Sequence, residues 1–482
     1  MTHNPFRLLR LSTNDQFLSL PMRCFIFILF LFPLSLPAQI SQDSAAFFIK
    51  DIYRQSFTEL KAYEWLTTLT KDIGHRLSGS GGAEKAVAWA KSVLDTFGLD
   101  SVWLQPVKVP HWERGDKEQI ILRVANIAEI SLNGLALGNS PGTGPEGIAG
   151  EVIEVKSLDE LRAIPDEDVK GKIVFFNRPM DAGFISTFSA YGNAADQRGS
   201  GPKVAAEKGA IAAVVRSLTT RLDDSPHTGA TNLSTTIRNI PSVALSTKDA
   251  NLLSQSLSFK PSLFIRTTCG MLEDADSYNV IGEIRGTEFP EEIILIGGHL
   301  DSWDVGEGAH DDGSGCVHSM EVLYRLLKNG YKPKRTIRCV LFMNEENGLA
   351  GGEKYAEEAF RKNEYHLVAI ESDGGGSTPQ SFGCSGGEGV LLDKHLSYMN
   401  NYMGLLEPYD LELKSGGGGA DIGPLKPKAG LLIGLRPDNA RYFDFHHSEL
   451  DVLENVHPRE LASGSAALTS LIFLIDQYGI GK

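Results

Sequence analysis

Cysteine is scarce in this sequence, since five cysteines are spread over 482 residues and none stands in a Cys-x-x-Cys spacing. So low a content excludes a scaffold held together by disulfides, and a zinc site built on thiolates has little support. Cys316 and Cys339 lie within apolar patterns, which predicts buried thiols there. A single bridge among Cys269, Cys316, Cys339 and Cys384 stays open at this point.

Basic residues are also in deficit: 46 Lys and Arg stand against 61 Asp and Glu, which gives a net charge of −15. Proteins that bind nucleic acid need a concentrated basic surface for the phosphate backbone, so we expect no nucleic-acid partner. The hydrophobic content of 42% and the charged content of 22% are typical of an ordinary folded protein. They exclude collagen, a coiled coil and general disorder, and the acidic balance leaves carboxylates available for cations.

A long apolar run is missing as well. The unbroken apolar stretch Cys24–Phe32 has nine residues, whereas a helix that spans a bilayer needs about 20. Arg23 precedes this stretch and the small-residue segment Pro33–Ala38 follows it, a pattern that predicts a secretory signal peptide over residues 1–38. Met22 is then the expected start, with residues 1–21 as a non-native extension. We expect a secreted or periplasmic protein with no membrane partner after cleavage.

Turn-forming residues crowd into residues 131–150 and divide the sequence. On the N-terminal side, residues 43–70 and 83–98 have the periodicity of amphipathic helices, and the glycine-rich segment Gly74–Gly82 lies between them. On the C-terminal side, short apolar segments predict a small β-rich domain that ends near residue 268. Its predicted elements are strands at Gly150–Val155, Lys172–Asn177, Ile211–Arg216 and Ile240–Leu245 and a helix at Pro202–Lys208.

From residue 278 onward, apolar runs alternate with segments of helical periodicity. The runs are 292–298, 336–343, 366–371 and 429–435, and the helical segments are 313–329, 349–361 and 458–477. Continuous apolar strands that alternate with helices indicate an α/β fold, in which a mixed, mostly parallel sheet is sandwiched between helices.

Polar side chains of the same few kinds follow each of these runs. They are His299 and Asp301, with Asp311 and Asp312 farther along the same loop; Glu345 and Glu346; Asp373; and His446 and His447. In open α/β sheets, ligands bind beyond the carboxyl ends of the strands, so we expect these side chains at one rim. Several carboxylates cannot share a dry cleft unless protons or cations intervene, and imidazole with carboxylate suits zinc or a similar divalent ion. The donors suffice for a pair of ions that share a bridging carboxylate.

These motifs resemble peptidase family M28, the family of co-catalytic zinc aminopeptidases. The segments that carry the resemblance are His299-x-Asp301, Gly308-x-x-Asp311-Asp312-Gly313, Glu345-Glu346, Glu371-Ser372-Asp373 and His446-His447-Ser448. The resemblance covers nearly all of the chain after the signal peptide and implies the phosphorylase/hydrolase-like fold of zinc exopeptidases. It also implies that a protease-associated-like domain over residues 131–270 is inserted between two parts of the peptidase domain, residues 39–130 and residues 271–482.

Carried over by the resemblance, the family's metal ligands fall on five positions of this sequence. Two Zn²⁺ per chain are expected. One would be held by His299 and Asp373, and the other by Glu346 and His447. Asp311 would bridge both ions.

The resemblance assigns further roles beside the ligands. Glu345 would act as the general base rather than as a ligand. Asp312 would follow the bridging residue through a peptide bond that is typically cis in the family. The position of Asp301, two residues after His299 and on the same face if the strand continues, predicts separately that it orients this imidazole. The family's ligand histidine stands directly before Ser or Thr, which favours His447 over the adjacent His446.

Other residues near the motifs have weaker assignments. His310 departs from the common family residue and is expected at the rim, whereas Glu371 is expected to face the sheet edge or to pair locally. The glycine run Gly416–Gly419 forms either a wall of the substrate pocket or a flexible loop. A Gly-x-Ser-x-Gly match at Gly383–Gly387 does not clearly join a strand to a helix, which disfavours a serine mechanism.

The resemblance therefore predicts an exported dizinc exopeptidase that hydrolyses short peptides. Dipeptides with a free N-terminus are the expected substrates, because the subgroup with the most similar motifs is associated with dipeptide hydrolysis. Members of that subgroup form homodimers, so we expect a homodimer here. Two alternatives stay open: an M28 aminopeptidase that acts on longer peptides, and a non-catalytic, receptor-like relative. The retention of all five ligand positions and of Glu345 argues against the second alternative.

Overall fold

The computed structural model of the protein describes residues 41–124 and 128–481. The predicted signal peptide, residues 1–38, lies outside the described residues. Among the helices that are described, none combines the length and the apolar character that crossing a bilayer requires. Cys269, Cys316, Cys339 and Cys384 are all free and buried, so the bridge that the sequence left open is not formed among them.

The elements are numbered in chain order, strands and helices separately. The strands are β1 (Ser101–Val109), β2 (Trp112–Glu113), β3 (Gln119–Val124), β4 (Ala128–Ser131), β5 (Gly134–Ala136), β6 (Ile148–Val155), β7 (Ile173–Phe176), β8 (Ala212–Arg216), β9 (Ser242–Leu245), β10 (Ser262–Arg266), β11 (Gly270–Met271), β12 (Ala275–Ile284), β13 (Phe289–His299), β14 (Arg335–Phe342), β15 (Tyr365–Glu371), β16 (Pro379–Gly386), β17 (Glu412–Ser415) and β18 (Ala429–Pro437). The helices are α1 (Gln42–Glu59), α2 (Lys61–Thr67), α3 (Gly81–Asp95), α4 (Leu158–Ala163), α5 (Asp166–Val169), α6 (Thr187–Ala194), α7 (Asp196–Gly199), α8 (Gly201–Glu207), α9 (Thr247–Ser256), α10 (Ser314–Lys328), α11 (Ala350–Arg361), α12 (Leu392–Met403), α13 (Tyr442–Phe445) and α14 (Pro458–Tyr478).

A mixed, eight-stranded sheet in the order β1-β12-β14-β13-β15-β18-β16-β17 forms the first layer of the fold. Its central strands β14, β13, β15 and β18 run parallel, whereas β12 and β16 join them antiparallel. These four parallel strands are the apolar runs that the sequence predicts. The structure confirms an α/β fold with a mixed, mostly parallel sheet.

Both faces of this sheet are covered, which explains the continuous apolar runs. In β13, Ile294 and Ile296 belong to the same core as helices α10 and α14. The alternate residues Ile293 and Leu295 face the other way and share a core with Tyr355 of α11. Because neighbouring side chains of a strand point to opposite faces, a strand buried on both sides must be apolar throughout.

A second eight-stranded sheet has the order β4-β3-β10-β6-β7-β8-β9-β5. Strands β6 to β9 are parallel and overlap the four strands predicted for the small β-rich domain. The sheet also includes β3 and β4, which precede residue 131 in the chain. The division of the chain into residues 39–130, 131–270 and 271–482 stays a prediction.

The single N-terminal helix predicted over residues 43–70 is wrong, because the chain forms two helices, α1 and α2, followed by a π-helical turn at Thr68–Ile73. The break lies at Leu60, whose backbone has the left-handed φ of 48°. No glycine or proline marks this position, so local sequence gives no signal for the break.

Candidate metal centre

Four segments carry the predicted site residues, and three of them follow neighbouring strands of the first sheet, β13, β14 and β15. Strand β13 ends at His299, which is in register with Phe342 at the end of β14, and Gly297 of β13 is in register with Glu371 at the end of β15. The segments that follow these ends therefore meet at the carboxyl edge of the sheet. Glu345, Glu346 and Asp373 are carried by these segments, as the sequence predicts.

The first group of donors surrounds the imidazole of His299. Its Nε2 lies 3.2 Å from Asp311 Oδ1 and 3.7 Å from Asp373 Oδ1. One donor atom from each of the three residues lies within 4.8 Å of the others. The structure thus brings together the three residues that the sequence assigns to one ion and its bridge.

The second group lies on the other side of Asp311. His447 Nε2 is 3.1 Å from Glu346 Oε2 and 3.3 Å from Asp311 Oδ2. His446 Nε2 is 3.5 Å from the same Asp311 oxygen, and its ring stacks on that of His447 with centroids 3.5 Å apart. The two oxygens of Asp311 therefore face different donor groups, and His447 contacts both carboxylates of the second group.

Several of these donor atoms are buried without a hydrogen-bond partner. They are His299 Nε2, Asp311 Oδ2 and Glu346 Oε1. Buried polar atoms are normally satisfied, so atoms left open at one place indicate a missing partner. Nitrogen and oxygen donors at this spacing fit a divalent cation of the zinc type.

The protonation equilibria of the site show the same need for positive charge. Burial, followed by the charge of Asp311, raises the pKa of Glu346 to about 7. Burial alone would lower the pKa of His447, but the carboxylates of Glu346 and Asp311 raise it to about 10. In the absence of metal, protons would supply the positive charge that the carboxylates require.

Asp301 fixes the loop that carries the two glutamates. Its carboxylate accepts hydrogen bonds from the main-chain N–H groups of Asn344 at 2.7 Å, Glu345 at 3.1 Å and Glu346 at 3.3 Å. Its main-chain carbonyl accepts a hydrogen bond from His299 Nδ1 at 3.0 Å, whereas the carboxylate lies 3.9 Å from that nitrogen. Asp301 thus contacts the imidazole through its carbonyl rather than through its carboxylate.

Asp312 accepts hydrogen bonds from two main-chain groups on either side of its own loop. Its Oδ2 accepts a hydrogen bond from the main-chain N–H of His299 at 3.1 Å, and its Oδ1 accepts one from Gly315 at 2.9 Å. The Asp311–Asp312 peptide bond is cis. Asp312 thereby connects the end of β13 to the start of α10.

Sequence analysis missed two residues that hold the loop of Asp311. The carboxylate of Asp451 accepts hydrogen bonds from the main-chain N–H groups of His310 at 2.7 Å and Asp311 at 3.1 Å. The buried guanidinium of Arg76 donates to three main-chain carbonyls of this loop, those of Leu300 at 2.7 Å, Glu307 at 2.7 Å and Gly308 at 2.8 Å, and also to that of Gly74 at 3.4 Å. The only signal for Asp451 is its position three residues after Ser448, and Arg76 has none beyond the glycine-rich segment around it.

The residues with weaker assignments lie around the centre. The ring of His310 donates from Nε2 to the carbonyl of Asn455 at 3.0 Å and accepts at Nδ1 from the N–H of Gly376 at 3.1 Å. Glu371 accepts a hydrogen bond from the N–H of Ile422 at 3.0 Å. A Cβ at Gly419 would lie 2.0 Å from the Glu371 carboxyl carbon, so only glycine fits there.

Comparison with known proteins agrees with this geometry. The sequence model of peptidase family M28 matches residues 279–471, and the model of the PA domain matches residues 145–253. The chain is 36% identical over 420 residues to carboxypeptidase Q of Homo sapiens, which covers 86% of this chain and 85% of that protein. Carboxypeptidase Q of Bos taurus is 35% identical over 418 residues, with the same coverage.

Solved structures share the fold. A peptidase M28 precursor from Shewanella amazonensis SB2B superposes with a TM-score of 0.84 at 31% identity and covers 90% of this chain and 97% of its own. A zinc aminopeptidase from Bacillus subtilis, BSAP, has a TM-score of 0.61 at 20% identity and covers 87% of this chain and 97% of its own. The predicted resemblance to family M28 is confirmed, and so is the protease-associated (PA) domain. The subgroup with the most similar motifs is that of carboxypeptidase Q, to which the chain is 35–36% identical. The chain belongs to peptidase family M28 and is a metallopeptidase.

Proposed function

We propose that this metallopeptidase is a co-catalytic dizinc exopeptidase, which hydrolyses short peptides and prefers dipeptides with a free N-terminus. The observation that carries the proposal is the position of Asp311, whose Oδ1 lies 3.2 Å from His299 and whose Oδ2 lies 3.3 Å from His447. A carboxylate between two donor groups is the arrangement that a bridged pair of metal ions requires.

The donor set determines which residues would hold the ions. His299 and Asp373 would hold one zinc, Glu346 and His447 the other, and Asp311 would bind both. Imidazole and carboxylate donors without thiolates support zinc, and BSAP of Bacillus subtilis, which shares the fold, is a zinc aminopeptidase. When bound, the ions supply Lewis acidity towards the scissile carbonyl and a water of lowered pKa.

Glu345 is the residue that we assign to proton transfer. It is half-buried beside the buried Glu346, and its main-chain N–H is fixed by Asp301. Burial, together with the carboxylate of Asp373, raises the pKa of Glu345 well above its usual range. Zinc ions at the neighbouring donors would favour the ionised carboxylate, which suits a general base that takes the proton of the attacking water and passes it to the leaving amine.

The substrate class is tested by a series of peptides of increasing length. The similarity to carboxypeptidase Q supports short substrates, and the family as a whole leaves aminopeptidase action on longer peptides as the alternative. We expect kcat/KM to fall from dipeptide to tripeptide to tetrapeptide with the same N-terminal residue, and N-acetylation to abolish cleavage. A rate that rises with length would favour the alternative.

The metal content is tested separately. We expect two zinc ions per chain by elemental analysis of the purified protein, and loss of activity after chelation that zinc restores. A single ion per chain at saturation would contradict the co-catalytic mechanism. An unchanged rate in Glu345→Gln would instead favour a reaction that does not need this base.

Export and assembly belong to the same proposal. The predicted signal peptide supports secretion or periplasmic delivery, and N-terminal sequencing of the exported protein should begin at Gln39. A homodimer is proposed from the family resemblance. Light scattering on the mature protein should give twice the mass of one chain, and a monomeric mass would contradict it.

A further inference from the structure

A loop of the second sheet reaches into the metal centre. Residues Ser225–Gly229, here called the 225–229 loop, lie in the connection between strands β8 and β9. The ring Nδ1 of His227 donates a hydrogen bond to the carbonyl of His446 at 2.6 Å. The main-chain N–H of Thr228 donates to the carbonyl of His447 at 2.9 Å. His227 and Thr228 are both buried, so these bonds are shielded from water.

The same loop contacts the side chain of the ligand histidine. His447 Nδ1 lies 3.2 Å from the carbonyl oxygen of Thr228. A carbonyl only accepts, so this contact places the proton of the neutral imidazole on Nδ1 and leaves Nε2 free to bind a metal. Arg198 Nη1, which only donates, lies farther from Nδ1, at 3.5 Å. Nε2 is the atom that faces Glu346 and Asp311. A hydrogen bond from the far ring nitrogen is the usual way in which proteins fix the tautomer and the direction of a ligand histidine.

The backbone of His447 requires such support. Its φ is 61°, in the left-handed region that residues with a side chain adopt only at a cost. Conformations of this kind persist where the surrounding structure holds them. Here the carbonyl of His447, the carbonyl before it and its ring are all held by the 225–229 loop.

Arg198, from the same domain, is hydrogen-bonded to the 225–229 loop. Its Nη1 donates to the carbonyl of Thr228 at 3.4 Å, and its Nη2 donates to the hydroxyl of Tyr191 at 2.6 Å. A Cβ at Gly229, where φ is 137°, would lie 2.4 Å from the Arg198 guanidinium carbon. Glycine at this position therefore lets the guanidinium lie directly against the loop.

We propose that the 225–229 loop is a positioning element for one of the two metal sites, and that His227 and Thr228 hold His447 in the conformation that binds the ion beside Glu346. The site of His299 and Asp373 has no such contact with the loop. The inference rests on the proposed two-ion function. It makes the inserted domain a structural part of one metal site.

The test compares three substitutions of His227 in the full-length mature protein. His227→Ala removes the donor to the His446 carbonyl. His227→Asn keeps it, because the Asn amide nitrogen takes nearly the position of His Nδ1. His227→Gln has a similar volume but places its amide one bond too far, so it serves as the matched control for Asn.

The readout is zinc affinity, which does not depend on turnover. Metal-stripped protein is titrated with zinc against a chromogenic chelator, and the cobalt spectra of a His447→Ala variant identify the binding step that belongs to the Glu346 side. We expect His227→Ala and His227→Gln to weaken that step by about 10- to 100-fold. His227→Asn should bind zinc like the wild type. The zinc affinity of the site of His299 and Asp373 should be unchanged in all three His227 variants.

A general loss of stability is separated from positioning by Leu263→Ala. Leu263 is buried in the hydrophobic core of the second sheet, on strand β10, and that core is formed by residues outside the 225–229 loop. This variant should lower the melting temperature and leave both zinc affinities unchanged. If it weakens the Glu346 side as His227→Ala does, or if His227→Gln and His227→Asn bind zinc equally, the inference is wrong.

Failure of the inference and failure of the proposed function are distinguishable. A wild-type chain that saturates with one zinc contradicts the proposed function, and the inference with it. If the wild type binds two ions and the His227 variants bind both with the same affinities, the inference alone is contradicted. Two ions of which only the Glu346-side ion depends on the His227 donor support both.

Discussion

The carboxylate of Asp301 accepts a hydrogen bond from the main-chain N–H of Glu345 at 3.1 Å, and so the end of β13 fixes the start of the loop after β14. This contact joins the strand that carries His299 to the loop that carries the proposed general base. The distance between the proposed metal ligand His299 and Glu345 therefore depends on the buried side chain of Asp301.

Asp301→Asn should lower kcat by about 10- to 100-fold, because an amide presents an N–H group where the carboxylate accepts from Glu346. The steady-state parameters of dipeptide hydrolysis are the measurement, together with zinc content. Asp276→Asn is the control, since Asp276 lies on the surface with 84% of its side chain exposed. Equal activity of Asp301→Asn and the control would contradict the positioning role.

Substitutions of the two adjacent glutamates should have different effects on activity and on zinc content. Glu345→Gln should lower kcat by about 100- to 10,000-fold with both metal ions retained, because it removes only the proton acceptor. Glu346→Gln should lower zinc content, because it removes a donor that lies 3.1 Å from His447 Nε2. Elemental analysis beside kinetics checks both expectations. Loss of zinc in Glu345→Gln would make that residue a ligand.

Substitutions of the two stacked histidines should likewise differ in their effect on zinc content. His447→Ala should reduce zinc content from two ions to one, because its Nε2 contacts both Glu346 and Asp311. His446→Ala should keep both ions, because its Nε2 lies 3.5 Å from Asp311 whereas the contact with Glu346 is made by His447. Metal analysis of the paired variants decides between them. Retention of two ions in His447→Ala would transfer the ligand role to His446.

Acid should destabilise the protein through His318. Burial lowers the pKa of His318 to about 4, and the ring donates to the carbonyl of Leu461 at 2.9 Å while it lies 3.1 Å from the Ser372 hydroxyl. The unfolded chain takes up a proton near pH 6.5, so the contribution of His318 is complete above that pH and is lost as the pH falls towards 4. The loss amounts to about 3 kcal/mol.

The measurement is the free energy of unfolding by urea at pH 7 and at pH 5. Wild-type protein should lose more stability between these conditions than His318→Gln, in which this titrating group is absent. Comparing the two differences removes the contribution of other titrating groups. An equal pH dependence in both proteins would show that His318 does not titrate on unfolding.

The sequence predicts the parallel strands and their ends well, for a physical reason. Strands β13, β14, β15 and β18 are buried on both faces, so they stand out as apolar runs, and the polar residues after each run fall at one edge. Ile293 to Ile296 illustrate this pattern, since all four are buried although they face opposite sides.

Long-range support is what the sequence does not reveal. Arg76 and Asp451 act on the loop of Asp311 through main-chain groups, and no local periodicity distinguishes such residues from other polar ones. Strands β3 and β4 join the second sheet through pairing with β10, more than 130 residues later in the chain for Ile121 and Phe264. The break at Leu60 likewise depends on packing rather than on a glycine or proline.

The buried guanidinium of Arg76 limits which parts of the chain can be removed in protein engineering. It donates to the carbonyls of Leu300, Glu307 and Gly308, although it precedes them by more than 220 residues. A truncated catalytic half that begins at residue 271 would leave these carbonyl groups without their donor. Grafting or shortening schemes for this enzyme should therefore keep the glycine-rich segment around Arg76, despite its distance along the chain from every proposed ligand.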